Sequence, residues 1–177
     1  MRRELFIHLS FWFSFFVFIA LVKHLFNLES WPFWAGGLIG TFLPDIDHLI
    51  YLYFLRPQEL TSQRVGFLVD HKEFKRMMEL LYETRYERTG LIFHTIFFQA
   101  IFLILTFWVM SSSPSLFGRG LVLAFSLHLS IDEITDLVEI KSLKNWFKFI
   151  QVNLDFRQSK LYSFVTFILV CLLGLLF

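Results

Sequence analysis

The chain has 177 residues, 16 Lys and Arg against 15 Asp and Glu, a formal net charge of +1 and one cysteine; it is 56% hydrophobic and only 18% charged. Globular chains are roughly 45–50% apolar and about 25% charged, so this composition points to a membrane protein. The balanced charge leaves no basic footprint for nucleic acid, and Cys171 alone excludes a disulfide framework and a cysteine-based zinc site.

A bilayer core about 30 Å thick takes about 20 apolar helical residues. Five blocks approach that length, at residues 5–28, 31–55, 91–110, 118–138 and 161–177. They predict an all-α, polytopic integral membrane bundle of one domain, with loops at 56–90 and 139–160. The first block follows Arg2 and Arg3 but is too long for a signal peptide and lacks a small-residue cleavage site, so it is expected to remain as an anchor. The second carries Leu43-Pro44-Asp45-Ile46-Asp47-His48 and reads as a short span or one broken at Pro44. In the loop that follows, Phe74, Met77, Met78, Leu81 and Tyr82 recur at helical spacing opposite Lys75, Arg76, Glu79 and Glu83. This predicts an amphipathic helix, packed on the bundle or lying on the membrane. Ser111-Ser112-Ser113-Pro114 marks a turn after the third block. Past the fourth block, Leu143, Trp146, Phe147 and Ile150 form a stripe opposite Lys141, Lys144 and Lys148, the pattern of a helix in the headgroup plane.

Cytoplasmic loops are enriched in Lys and Arg. Seven lie between the second and third blocks (Arg56, Arg64, Lys72, Lys75, Arg76, Arg85, Arg88), whereas Arg119 alone occupies the connection between the third and fourth. The asymmetry predicts a multi-pass protein of the plasma (inner) membrane, N-terminus cytoplasmic, C-terminus outside and both large loops inside.

Ionisable side chains inside spans mark functional sites by default. Here they are His8, Asp45, Asp47, His48, His94, His128 and Asp132. At 1.5 Å rise per residue, all fall within about 15 Å of the cytoplasmic ends of their spans, so separate spans deliver imidazoles and carboxylates to one layer. His128 and Asp132, four apart, share a helix face, as do Asp45 and His48 if the backbone stays helical after Pro44. Neutral imidazole with carboxylate suits a divalent metal, zinc first and manganese second. Seven donors exceed one tetrahedral shell, which leaves two ions, or one ion with supporting residues and a general base. His24 and His71 sit outside the layer, and Glu133 and Asp136 are expected to be wetted at the cytoplasmic exit of the fourth span.

Leu43-Pro44-Asp45-Ile46-Asp47-His48, a His in the first span, Phe93-His94-Thr95 opening a later one and His128-Leu-Ser-Ile-Asp132 together resemble the family of LexA-regulated, membrane-bound metal-dependent hydrolases. The resemblance runs over roughly residues 5 to 136. It implies a small bundle of membrane helices and metal or catalytic roles for the seven residues above. Two elements differ: the first His of the family's His-Arg-Gly is absent from Glu87-Arg88-Thr89-Gly90, and Thr135-Asp136 replaces a Thr-Pro.

The resulting expectation is a hydrolase of phosphoester or lipid-linked substrates near the cytoplasmic interface, with membrane lipids as its surroundings. His94, His128, Asp132 and one or both of Asp45 and Asp47 would hold the ion, Asp47 would take a proton, and Arg88 would hold a phosphate bidentately. Two rivals carry different signatures. A metal-ion transporter needs a polar path to the outer side, yet the outer halves of the third and fifth blocks are almost wholly apolar. A noncatalytic scaffold would keep a vestigial or structural metal site.

Overall fold

The structure, a computed structural model, describes residues 2–84, 87–150, 152 and 154–176, with no account of the Arg2 and Arg3 side chains. Arg85 of the loop count and Phe177 at the end of the last block lie outside the described residues. Among the described residues there is no strand. The helices are α1 (Arg2–Lys23), α2 (Trp31–Phe42), α3 (Ile46–Ile50), α4 (Leu60–Asp70), α5 (Phe74–Glu83), α6 (Ile96–Ser112), α7 (Leu116–Glu139) and α8 (Phe156–Leu175).

Three stretches, Glu4–Lys23, Leu28–Leu55 and Phe156–Leu175, are long and apolar enough to cross a membrane, where composition predicts five spans. The other two predicted spans fall short for different reasons. The third loses its first residues, because helix α6 begins only at Ile96 and is 17 residues long. The fourth is a 24-residue helix long enough to cross, but Arg119, Asp132, Glu133, Asp136 and Glu139 leave it no 18-residue stretch with fewer than three charges.

The second stretch breaks where Pro44 removes a backbone donor. Helix α2 ends at Phe42, tight bonds run from Ile46 N–H to Leu43 O (3.1 Å) and from Asp47 N–H to Pro44 O (3.0 Å), and α3 then continues into a π-helical turn at Tyr51–Leu55. The break puts Asp45 at a corner, with Asp47 and His48 in the first turn of the new helix.

Helix α7 is the axis of the fold. Residues 122–131 are buried on every side, the pattern of a core helix rather than an amphipathic one. Its upper half lies directly against α2, because glycines remove the side chains between them. A Cβ on Gly36 would come 2.1 Å from Phe117 O, one on Gly40 2.3 Å from Leu121 O, and one on Gly120 2.1 Å from Phe33 O. Gly36-x-x-x-Gly40 facing Gly120 is a small-residue crossing of the kind that joins helices within membranes. Phe16, Ile19, Phe33, Met110, Leu123, Leu127 and Val170 close the core around it, with Phe16 stacked on Phe33 at 4.6 Å.

The segment after α7 corrects the expectation of a helix in the headgroup plane. Residues 144–150 form successive turns, and Leu143, Trp146 and Phe147 are buried in a second core cluster with Phe125, Leu129 and Leu137. Two hydrogen bonds explain why this stripe turns inward. The Trp146 indole N–H donates to Asp136 Oδ2 (2.8 Å), and its carbonyl accepts from Ile96 N–H (3.1 Å), one of the donors left open at the start of α6. The amphipathic helix predicted over 74–82 does form, as α5, with no fully buried residue.

Candidate metal centre

Three elements bring imidazoles to one carboxylate, and a fourth sets a second carboxylate beside them. Helix α7 presents His128 and Asp132 one turn apart, with His128 Nε2 3.0 Å from Asp132 Oδ2. From α1, His8 places Nε2 3.1 Å from Asp132 Oδ1 and stacks its ring on His128 at 4.0 Å and 13°. From the loop before α6, His94 brings Nε2 to 2.9 Å from Asp132 Oδ2. From the Pro44 corner, the exposed Asp45 carboxylate stands 3.7 Å from His128 Nε2. Donor atoms of His8, His128 and Asp132 all lie within 4.8 Å of one another, close enough to share one ion.

Asp47 stands behind this group. It is fully buried, and its oxygens accept from the backbone N–H groups of Ile92 (3.0 Å) and Phe93 (2.5 Å), with His94 N–H further off at 3.4 Å. Its Oδ2 also faces His94 Nδ1 at 3.2 Å. One carboxylate therefore shapes the irregular chain ahead of α6 and orients the imidazole that chain carries. With Asp47 at Nδ1 and Asp132 at Nε2, His94 has an acceptor at both nitrogens, whereas a neutral ring has one hydrogen to give. If that hydrogen goes to Asp47, the remaining lone pair points toward Asp132, an arrangement that a cation between them would relieve.

His48 takes a different part. The Arg88 Nε–H donates to His48 Nδ1 at 3.3 Å. Because a guanidinium only donates, Nδ1 must accept, and the neutral ring then carries its hydrogen on Nε2. Arg88 itself is buried rather than at the loop surface, and also donates to Leu81 O (2.6 Å) and Thr84 Oγ1 (3.1 Å).

The donors pair with one another incompletely. His128 is buried with neither ring nitrogen hydrogen-bonded; its Nε2 is near Asp132 but outside hydrogen-bonding angles, and His8 Nδ1 is likewise unsatisfied. Buried polar atoms nearly always find a partner, and those that do not mark strain, chemistry or an absent ion. Three imidazoles with one carboxylate form a borderline donor set that suits zinc first and manganese second.

A cavity of about 670 Å³ opens against this cluster, with His8, Asp45, His48, Arg88, His94 and Asp132 on its wall. Asp47 and His128 lie behind that wall. Trp146, part of an apolar stripe in the sequence, also lines the cavity, with its ring 5.5 Å from His94. His24 and His71 are exposed and take no part.

Glu133, expected to be wet, is fully buried. It faces away from Asp132, and its Oε2 accepts from Thr166 Oγ1 at 2.7 Å, while the nearby Tyr162 hydroxyl donates to Gln99 Oε1. The missed signal was Ser159, Ser163 and Thr166 at i, i+4 and i+7, a polar stripe along the last apolar block.

No family model, curated protein or solved structure matches this chain.

Proposed function

We propose that this protein is a membrane-bound, metal-dependent hydrolase of phosphoester or lipid-linked substrates, a five-span bundle of the plasma (inner) membrane with its N-terminus and site on the cytoplasmic side. The observation that carries the reading is the meeting of His8, His94 and His128 at Asp132, with both nitrogens of the buried His128 lacking a hydrogen bond. Such a group is costly unless a cation compensates it. α6 and α7 complete the five spans: local bilayer thinning takes up the short length of α6, and α7 tolerates acids because they face the bundle interior.

In this reading His8, His128, Asp132 and His94 hold a divalent ion, zinc first and manganese second. When bound, such an ion supplies a Lewis acid for a phosphoryl oxygen and brings the pKa of water toward 7. Asp45, on the cavity wall and 3.7 Å from His128, accepts the proton from attacking water at a carboxylate oxygen. His48, with Nδ1 held by Arg88, offers its Nε2 hydrogen to the leaving oxygen. Asp47 holds His94 by Nδ1, the carboxylate–histidine support common behind metal ligands. Arg88 adds a fixed positive charge that favours phosphate at the wall.

The test is metal content per chain in detergent-purified protein, with hydrolysis of a phosphodiester before and after chelation. Near-stoichiometric zinc or manganese, and activity lost on chelation and regained on adding the ion, support the reading. No bound metal in wild-type protein, or metal undiminished in both His128→Ala and Asp132→Asn, overturns it.

A further inference from the structure

The cavity has two kinds of wall. Its inner wall carries the imidazoles and carboxylates described above. Its outer rim is formed by Leu5 of α1, Phe42 of α2, and Ile46 and Leu49 of α3, which are 42%, 42%, 42% and 47% exposed. These residues belong to the two N-terminal stretches long enough to cross a membrane. Exposed apolar side chains on a spanning helix meet acyl chains, so in a membrane this rim would face lipid. α5 adds Met77, Met78, Leu81 and Tyr82 to the wall, beside polar groups such as Thr41, Thr135 and Asn145. α5 thus turns one apolar stripe over the cavity while Lys75 and Arg76 stay exposed, as in a helix lying at a headgroup layer.

We infer that the substrate is a phospholipid that stays in the bilayer and enters sideways between α1 and the Pro44 corner. Its phosphate reaches Asp132, His94 and Arg88, and its acyl chain lies along Leu49, Phe42 and the α5 stripe. A volume of about 670 Å³ is within the roughly 300–1,000 Å³ of ligand pockets, and a fully water-soluble phosphoester would leave the apolar wall bare. In the step itself a water oxygen bonds to phosphorus as one ester P–O bond breaks. One water proton passes to Asp45, which then gives it to the leaving alkoxide, while neutral His48 donates only a hydrogen bond from Nε2. No oxidant or further reactant enters. The inference rests on the metal-hydrolase reading for this chemistry, but lipid docking can be read separately.

The experiment uses full-length protein in nanodiscs containing phosphatidylglycerol with a mid-chain diazirine. Photolabelling is expected at Leu49 and, inside the cavity, at Met77 and Leu81. Leu49→Glu, which sets a charge in the mouth, and Leu49→Trp, which fills it, should each cut labelling at Met77 and Leu81 at least fivefold. Labelling of the exposed Leu161 and Phe164 on α8 should not change. The ratio of vesicle-lipid hydrolysis to hydrolysis of bis(p-nitrophenyl) phosphate should fall at least tenfold in the same variants. Unlabelled Met77 and Leu81, or labelling there that both variants leave intact, overturns the inference. If bis(p-nitrophenyl) phosphate is hydrolysed without cavity labelling, lipid entry fails and the hydrolase reading stands. Mouth-dependent labelling without metal or hydrolysis supports lipid entry and removes the hydrolase reading.

Discussion

The two halves of α7 use one helix for opposite ends. In its upper half, Gly120 lets α7 touch α2 backbone to backbone by close packing. In its lower half His128 and Asp132 share the face toward α1 and the loop before α6, Glu133 turns to α8 and Asp136 to Trp146. The apolar half tolerates no added volume. The polar half depends on its partners. The difference shows that the α2–α7 crossing fixes where α7 sits, and that this position lets imidazoles from α1 and the 87–95 loop meet at Asp132 while the Pro44 corner sets Asp45 beside His128.

The largest effect should come from adding side chains to the crossing. Gly120→Val and Gly40→Leu put atoms onto carbonyl oxygens of the facing helix, 2.1 Å and 2.3 Å from the first new carbon. The cost should exceed the roughly 1–3 kcal/mol of ordinary overpacking, seen as loss of folded protein in thermal unfolding in detergent. Folding of both variants at wild-type midpoint would remove the crossing as the organising contact.

Next comes the polar half. Asp132→Asn should keep the fold and reduce bound metal to below about a tenth of the wild-type level, because every imidazole in the group faces this carboxylate. Asp47→Asn should be milder, weakening metal by about 10- to 100-fold, the usual effect of losing the partner that orients a ligand. Equal metal retention in these two variants would contradict the assignment of Asp132 as ligand and Asp47 as support.

Trp146→Phe removes the indole donor to Asp136 while keeping most of the buried ring. The expected loss is about 1 kcal/mol, read as a small drop in unfolding midpoint with metal content retained. Smallest of all should be His71→Ala, whose exposed ring touches only its own helix end and Phe67. A change beyond about 0.5 kcal/mol, or any loss of metal, would contradict its placement outside the site.

Some of the site could be read from the chain because the signal was local. His128 and Asp132 share a face by helical spacing alone, and Pro44 announces the break that frees Asp45. Other parts could not. Asp45, Asp47 and His48 look alike in sequence, yet one lines the cavity beside His128, one is buried under His94 and one is tied to Arg88. Their roles depend on partners 40 to 83 residues away, which no local pattern names. The stripe at Leu143, Trp146 and Phe147 shows the same limit: amphipathic spacing says that one face is apolar, not whether lipid or protein covers it.

Composition and periodicity by themselves determined a helical chain with apolar blocks, the amphipathic helix α5 and the presence of ligand-type residues in unusual places, because each follows from short-range backbone and side-chain preferences. Only the tertiary structure decided which imidazole faces which acid, which carboxylates lie behind the cavity wall and where the cavity opens. Those follow from how closely α2 and α7 approach, and that distance is set by the combined packing of glycines and rings contributed from separate parts of the chain.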